Sequence, residues 1–277
     1  MITYPNVKVN LGLNILRRRD DGYHDIDTVF LPYGEIHDCL EIITGDDWSR
    51  TSAGIFSSET PVAQAISPDG ALMITIERKE GIDWDPLKDL TARAYFLLAE
   101  EFKLPPVKIF LRKLSPVGAG LGGGSSDAAF ALSMMNEMFS LGLSNEALAS
   151  RASKLGSDCA FFVYNRPMRG EGRGEILTPC NIDLEGYHLE VFIPEGISVK
   201  TAEAYRGIVP SRAEVPLEEA LKHDISEWKY LIVNDFEKNV FKAHPALEEI
   251  KKSIYDSGAV YASMSGSGSA LFGIFKD

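Results

Sequence analysis

Five glycines fall within the seven positions from residue 118 to residue 124, and two serines follow them directly. Glycine has no side chain to obstruct a ligand, so a run of glycines exposes bare backbone amides. An alanine-rich apolar stretch comes next and predicts a helix, with its N-terminal cap at Ser125, Ser126 or Asp127. Unpaired amides and the positive end of a helix dipole together bind anions. The stretch therefore predicts a phosphate-binding loop.

Three other interpretations of the glycine loop are less favoured. A flexible linker would continue into polar, low-complexity sequence, whereas this loop runs into a strong helix start. Residues 118–123 formally satisfy G-x-G-x-x-G. A dinucleotide-binding fold would also need a strand ending in an acidic residue about 20 residues later, but residues 144–155 predict another helix. The sequence contains no G-x-x-x-x-G-K-[ST], which excludes a P-loop.

Charged and polar side chains that could act on a bound phosphate occur at three places. Residues 2–16 alternate in part between apolar and polar, which predicts a half-buried strand with Lys8 and Asn10 on its polar face. The strand predicted before the glycine loop carries Lys113 to the edge of that loop. Asp158 lies at the start of a short helix, and beside a phosphate its carboxylate could accept a proton. Ordinary roles remain open, namely solvated lysines and a charge that complements a helix N-terminus.

Two further groups of side chains could bind a ligand. Tyr23 and His24 follow a charged segment that predicts a tight hairpin turn, and the same pair could stack on a flat polar ring. Thr201 and Tyr205 lie four residues apart on one face of a predicted helix. Residues 169–175 are rich in glycine and charge, and predict a loop at a domain border.

The composition limits the class of protein. A chain of 277 residues suits two moderate domains, and the formal net charge of -12 argues against nucleic-acid and membrane-surface partners. The three cysteines are widely spaced and form no C-x-x-C, which fits a reducing compartment. Since no signal segment and no apolar run of about 18 residues is evident, we expect a cytoplasmic protein. Residues 45–70 predict loops.

The segment from Pro116 to Ala129 resembles the phosphate-loop signature of the GHMP small-molecule kinases. Four further segments fit the same family in the same order, so the resemblance spans nearly the whole chain. These segments are residues 5–11, 21–24, 156–162 and 264–269. The Asp-Gly-Tyr-His segment and the lysine segment are most similar to the branch that phosphorylates a cytidine-diphosphate-carrying methylerythritol in non-mevalonate isoprenoid biosynthesis.

The resemblance implies a fold, a cofactor and a partner. The fold is α+β with two domains, a ribosomal S5 domain 2-like ATP-binding domain over residues 1–164 and a ferredoxin-like domain over residues 165–277, with a substrate cleft between them. The cofactor is ATP with Mg²⁺, and no side chain is assigned to the metal. The partner is a small-molecule substrate that carries a cytidine diphosphate group and is phosphorylated on its 2-hydroxyl. The resemblance also allows a homodimer.

The resemblance assigns roles to individual residues. Asp158 accepts the proton of the substrate hydroxyl, and Lys8 polarises that hydroxyl and neutralises developing charge. The implied substrate-binding residues are Asn10, Tyr23, His24, Thr201 and Tyr205, with Tyr23 and His24 at the cytosine. The implied cofactor-binding residues are Lys113, Pro116, Val117, Gly118, Ala119, Gly120, Leu121, Gly122, Gly123, Gly124, Ser125 and Ser126. Asp89 stands where relatives often carry asparagine, at the expected adenine contacts.

Two alternative functions remain at this point. The chain could be a kinase or decarboxylase for a mevalonate-type substrate, which would have no use for the Tyr23–His24 pair. It could also be a nucleotide-binding module without catalytic activity, in which Asp158 is structural.

Overall fold

The computed structural model describes residues 1–44 and 60–277. In these ranges the strands are β1 Ile2–Thr3, β2 Asn6–Arg18, β3 His24–His37, β4 Cys39–Thr44, β5 Val62–Ile66, β6 Leu72–Arg78, β7 Val107–Lys113, β8 Met168–Gly172, β9 Ile176–Pro179, β10 Tyr187–Phe192, β11 Tyr261–Met264 and β12 Leu271–Lys276. The helices are α1 Leu90–Ala99, α2 Gly123–Met138, α3 Asn145–Leu155, α4 Cys159–Tyr164, α5 Thr201–Ala204, α6 Leu217–Ala220, α7 Trp228–Leu231, α8 Glu237–Ala243 and α9 Pro245–Asp256. Short 3₁₀ turns occupy Pro86–Lys88 and Ile225–Glu227. Of the helices in these ranges, none is long and apolar enough to cross a membrane.

The chain forms two compact units, and the first comprises Met1–Val7, Tyr33–Val117 and Gly122–Asn165. Its sheet has the strand order β1-β4-β7-β6-β5, in which β6 and β7 are parallel and the other pairs are antiparallel. The apolar side chains of β4, β6 and β7 are fully buried with those of α1 and α2 in one core. This core fixes α2, and with it the end of the glycine loop.

The second unit comprises Lys8–Pro32, Gly118–Leu121 and Arg166–Asp277. It contains a sheet with the order β2-β3-β8-β9 and a smaller antiparallel sheet with the order β10-β12-β11. Its core joins apolar residues of β2 to those of α8, α9, β11 and β12. The packing therefore ties an early strand to the C-terminal elements.

The two units do not follow the predicted continuous ranges 1–164 and 165–277. Strand β3 pairs with β8 from Ile26 opposite Gly172 to Phe30 opposite Met168, so most of β2 and β3 belongs with the C-terminal half of the chain. From the sequence, elements that are neighbours in the chain are expected to share a domain. A strand pairing over so long a distance in the chain leaves no local sequence pattern that would predict otherwise. The assignment of functions to the two ranges stays a prediction.

Three local predictions were wrong. The strand predicted to be half-buried within residues 2–16 is instead buried on both faces from residue 7 to residue 15. The loop predicted for residues 169–175 is part of a hairpin, because β8 and β9 pair through Arg169 opposite Thr178. Part of the loop predicted for residues 45–70 lies outside the described residues, and another part forms β5 along β6.

Candidate active site

The glycine loop connects β7 to α2 and uses glycine for its backbone geometry. Gly118, Gly120 and Gly122 all have positive φ angles, of 75°, 79° and 73°, which side chains disfavour. Gly122 is the N-cap of α2 and no side chain caps the helix by a hydrogen bond. The predicted cap at Ser125, Ser126 or Asp127 was therefore wrong, since all three lie inside the first turns. The helix starts on bare backbone.

The start of α2 has the properties of an anion site. The first four amides of an α-helix have no partner within the helix, and here no side chain takes the capping position. Ser126 is fully buried, and its hydroxyl has no hydrogen-bond partner among the described residues. The residues present therefore fit the phosphates of a nucleotide, which would accept hydrogen bonds from amides and from the hydroxyl.

The middle of the glycine loop lies against the loop between β11 and β12. A Cβ on Gly120 would come within 2.2 Å of the Ser265 carbonyl oxygen, so only glycine fits there. The Ser265 hydroxyl donates to the Gly120 carbonyl at 3.0 Å, and the Ala270 amide donates to the Ala119 carbonyl at 3.1 Å. These contacts hold residues 118–121 in one conformation.

Lys8 is buried rather than solvated. Its side chain lies within β2, where the residue is 2% exposed, and its ammonium donates to the Gly120 carbonyl at 2.8 Å and to the Asn10 side-chain oxygen. Asn10 in turn donates from Nδ2 to the Thr28 hydroxyl at 3.0 Å. The second unit thus brings the predicted catalytic lysine and the predicted substrate-binding asparagine together with the glycine loop.

Asp158 is the N-cap residue of α4 but makes no capping hydrogen bond with its side chain. It is half-buried. The next residue, Cys159, is hydrogen-bonded to the Ser125 side chain, and burial raises the pKa of its thiol to about 12. Asp158 therefore belongs to a segment that packs beside the first turn of α2 within the first unit. An ordinary capping role does not explain its side chain.

Lys113 lies in a buried ionic cluster. Its ammonium bonds to Asp38 and, at 2.6 Å, to Asp127 of α2, and it also donates to the Ser115 hydroxyl at 3.3 Å. Asp38 accepts from the amides of Leu114 and Ser115 at 2.6 and 2.7 Å. The charge of Lys113 is thus used inside the protein, where it fixes both ends of the glycine loop. Direct contact with a phosphate stays a prediction for this residue.

Burial and pairing act in opposite directions on this cluster. Burial by itself would lower the pKa of Lys113, but Asp127 and Asp38 outweigh that effect and the pKa is raised. Burial is the main cause that raises the pKa of Asp127, and the neighbouring charge of Asp38 adds to it while Lys113 opposes it. One oxygen of Asp127 has no hydrogen-bond partner within the described ranges. Lys113 is consequently the cation that pairs with two buried carboxylates, those of Asp38 and Asp127.

The predicted substrate-binding side chains also meet within the second unit. The His24 ring stacks on the Tyr205 ring with 4.7 Å between centroids, and burial lowers the pKa of His24, with the charge of Arg18 as a second cause. Tyr23 is 55% exposed, and the Arg173 guanidinium lies 5.0 Å from its ring centroid. The three rings offer flat surfaces suited to an aromatic base.

Thr201 and Asp89 have structural contacts of their own. The Thr201 hydroxyl lies 3.2 Å from the Ser267 hydroxyl, so α5 contacts the loop between β11 and β12, which also lies against Gly120. Asp89 caps α1 by accepting from the Thr91 amide at 2.9 Å, and accepts from the Trp84 indole at 3.1 Å. A carboxylate performs both tasks without loss, because both partners are donors. This explains the acid at a position where asparagine was expected.

Sequence reasoning missed Asp38, Asn234 and the contact of Arg173 with Tyr23. Asp38 lies between two strands and is 75 positions from Lys113, and no local pattern marks such a pair. Asn234 lies in a stretch that predicted only helical pieces. In the sequence, the one signal was a polar residue directly after the apolar pair Ile232 and Val233.

Comparison with known proteins agrees with this arrangement. The family model described as GHMP kinases N terminal domain matches residues 89–166, and the model described as GHMP kinases C terminal matches residues 217–277. A protein of Bacteroides fragilis named 4-diphosphocytidyl-2-C-methyl-D-erythritol kinase is 44% identical over 276 residues, covering 100% of this chain and 92% of the relative.

Solved structures give the same result. A crystal structure of 4-(cytidine 5'-diphospho)-2C-methyl-D-erythritol kinase aligns with a TM-score of 0.75 and 30% identity, covering 99% of this chain and 89% of the other. A mevalonate kinase aligns with a TM-score of 0.65 at 13% identity, over 100% of this chain and 91% of the other, which shows a shared fold alone. With residues 89–166 and 217–277 matched by GHMP kinase models and a full-length relative at 44% identity, this chain belongs to the GHMP kinase family, in the branch of the 4-diphosphocytidyl-2-C-methyl-D-erythritol kinases.

Proposed function

We propose that this enzyme transfers the γ-phosphoryl group of ATP to the 2-hydroxyl of 4-diphosphocytidyl-2-C-methyl-D-erythritol, a step in non-mevalonate isoprenoid biosynthesis. The observation that carries the proposal is the start of α2, which no side chain caps, at the end of the glycine loop, in a chain that is 44% identical to a kinase of that name over its full length. Such a helix start binds the phosphates of a nucleotide.

The nucleotide-binding part of the proposal involves the loop and α2. ATP supplies the phosphoryl group, and a Mg²⁺ bound to it would neutralise charge on its phosphates. The amides of Gly123 and Gly124 at the start of α2 would donate to phosphate oxygens. The buried Ser126 hydroxyl lacks a hydrogen-bond partner in the part of the chain that the structure describes. It would donate a hydrogen bond to a phosphate, or its oxygen would coordinate the metal.

The catalytic part of the proposal involves Asp158 and Lys8. Asp158 would accept the proton of the attacking hydroxyl, since it is half-buried at the start of α4 and its neighbour Cys159 is bonded to Ser125 in the first turn of α2. Lys8 would hold its ammonium toward the substrate hydroxyl while remaining anchored on the Gly120 carbonyl. Positioning and charge neutralisation are the main requirements of phosphoryl transfer, and these two side chains would supply them.

The specificity part of the proposal involves the aromatic side chains of the second unit. Tyr23 and His24 would hold the cytosine, with Tyr205 stacked on His24 as support. Because the pKa of His24 is lowered, its ring is neutral near pH 7 and can both donate and accept a hydrogen bond, as an aminopyrimidinone requires. A mevalonate-type substrate offers no ring for these residues.

We also propose a cytoplasmic setting for the reaction. The net charge of -12 disfavours nucleic-acid and membrane-surface partners, and the three free cysteines suit a cytoplasmic compartment. We also propose that the protein forms a homodimer. Sedimentation velocity would detect this assembly.

An ADP-release assay tests the proposed substrate. Purified protein with ATP and Mg²⁺ should release ADP when 4-diphosphocytidyl-2-C-methyl-D-erythritol is added and should release none above background with mevalonate or its phosphates. Phosphorus NMR of the product should show a new phosphate monoester. Turnover of a mevalonate compound, or ADP release without a new phosphate ester, would contradict the proposal.

Replacing Lys8 by methionine tests the role of its ammonium. Because Ser265 still donates to the Gly120 carbonyl, the loop keeps a donor at that oxygen in Lys8→Met. We expect kcat to fall by about 10²-fold, the loss typical when one transition-state donor is removed, with a smaller change in nucleotide affinity. Steady-state kinetics and calorimetric titration with AMP-PNP measure the two quantities. An equal loss in both would show that Lys8 serves only to shape the loop.

A further inference from the structure

The side chain of Asn234 is buried, and both its nitrogen and its oxygen form hydrogen bonds with backbone groups. It is 3% exposed. Its Nδ2 donates to the Met264 carbonyl at 2.7 Å and to the Gly266 carbonyl at 2.9 Å, and its Oδ1 accepts from the Phe236 amide at 3.0 Å. Both donors of the side chain are thus directed at one short loop, residues 264–268, which we name the bracing loop.

The bracing loop is the element that fixes Gly120. Its Ser265 hydroxyl donates to the Gly120 carbonyl and accepts from the Asn10 amide at 3.3 Å. A Cβ on Gly266 would lie 3.1 Å from the Gly120 carbonyl oxygen and 3.3 Å from the Asn10 side-chain oxygen. The same carbonyl oxygen of Gly120 anchors Lys8. A displacement of the bracing loop would therefore move both the middle of the glycine loop and the lysine.

Asn234 is also fixed by its own surroundings. The Leu13 amide of β2 donates to the Val233 carbonyl at 2.9 Å, and the Asp235 amide donates to the Leu13 carbonyl at 2.9 Å. The Asp235 carboxylate accepts from the Ile15 amide at 2.7 Å. These bonds join the segment around Asn234 to the strand that carries Lys8, so the residue that holds the bracing loop is itself part of a segment bonded to β2.

We propose that Asn234 is a positioning residue for nucleotide binding, acting through the bracing loop on Gly120. The inference rests on the proposed function, because it takes the glycine loop as the site of the ATP phosphates. Asn234 itself touches neither nucleotide nor substrate in this proposal. Its contribution is to keep the Ser265 hydroxyl and the Gly266 backbone at the distances that hold Gly120 in its left-handed conformation.

The variant Asn234→Asp tests this role selectively. Aspartate keeps the acceptor for the Phe236 amide but places a second oxygen against the two carbonyls, which turns two attractive contacts into repulsive ones. We expect the dissociation constant of AMP-PNP with Mg²⁺, measured by calorimetry, to rise by about tenfold or more. The KM for ATP should rise in parallel and by a larger factor than the KM for the cytidyl substrate, because Gly120 is the point through which the bracing loop acts.

Matched variants separate positioning from a general loss of structure. Asn239→Asp makes the same chemical change at a half-buried asparagine whose amide donates to the Arg206 carbonyl at 3.2 Å, and should leave the affinity for AMP-PNP unchanged. Ser265→Ala removes the hydroxyl that joins the bracing loop to Gly120 and should show the same selective loss. Combining it with Asn234→Asp should cost little more than Asn234→Asp alone, because both act through one contact.

The outcomes distinguish a failure of this inference from a failure of the proposed function. If Asn234→Asp binds AMP-PNP as the wild type does, or weakens both substrates equally, the inference is wrong. If that variant does not fold, Ser265→Ala decides alone, and an unchanged nucleotide affinity there overturns the inference. If the wild-type protein binds AMP-PNP but phosphorylates no cytidyl substrate, the proposed function fails, whereas the binding measurements on Asn234→Asp still test the inference.

Discussion

Replacement of Asp158 by asparagine is expected to abolish most of the turnover while leaving nucleotide binding intact. The substitution keeps the shape of the side chain and removes its ability to accept a proton. A positioned general base contributes about 10²–10⁴-fold to a reaction rate, so we expect kcat of Asp158→Asn to fall within that range. Because the carboxylate makes no capping bond to α4, the helix should form as before.

The position of Asp158 explains why affinity should survive. Its chain neighbour Cys159 is fully buried and bonded to Ser125, so packing holds the segment against α2 independently of the carboxylate. The anion site at the start of α2 consists of backbone amides and the Ser126 hydroxyl, none of which the substitution removes. AMP-PNP affinity should therefore remain within about twofold of the wild type.

Asp256→Asn is a matched control for this experiment. Asp256 lies at the end of α9, where its exposed carboxylate pairs with Lys252 at 2.6 Å, and exposed pairs contribute little to stability. Its replacement should leave kcat unchanged. If Asp158→Asn retains wild-type turnover while it still binds AMP-PNP, Asp158 is not the proton acceptor and another group must be sought.

The glycine loop was predictable from the sequence because its chemistry is local. Glycine spacing and the apolar helix that follows specify a bend and a helix start, whichever elements surround them. The exact start was not predictable. Ser125, Ser126 and Asp127 are good capping residues in isolation, but tertiary packing turns Asp127 toward Lys113 and buries Ser126, and the helix starts at Gly123 instead.

The environment of Lys8 could not be read from its own strand. Alternation in β2 gave the correct relation between Lys8 and Asn10, which do share a face. That face is buried, because the glycine loop and the bracing loop lie on it, and both come from parts of the chain more than 100 residues away. Periodicity reports which side chains point together. It does not report what covers them.

Removal of the Lys113 charge is expected to give the largest loss of stability. In Lys113→Met the carboxylates of Asp38 and Asp127, both nearly inaccessible to solvent, lose the cation that binds them. Removing one partner of a buried ion pair costs about 3–5 kcal/mol, because the remaining charge is neither hydrated nor neutralised. Urea unfolding followed by circular dichroism measures this loss in the free energy of unfolding.

Lys252→Met provides the comparison, since it also removes a lysine from a pair with aspartate. The side chains of Lys252 and Asp256 are 75% and 63% exposed, so water replaces the lost contact. We expect its urea midpoint to match that of the wild type. A loss in Lys113→Met no greater than in Lys252→Met would mean that the buried cluster contributes no net stability.

The stability lost in Lys113→Met should depend on pH, and the sign follows from the direction of the shifts. Burial and the charge of Asp38 already raise the pKa of Asp127, and Lys113 is what opposes them. Without Lys113 the folded-state pKa of Asp127 rises further above the unfolded value. Acids of this kind destabilise the fold at high pH and lose that penalty when protons bind. The stability difference between wild type and variant should therefore shrink from about pH 8 to about pH 5. A difference that stays constant or grows on acidification would show that lost packing, rather than uncompensated charge, destabilises the variant.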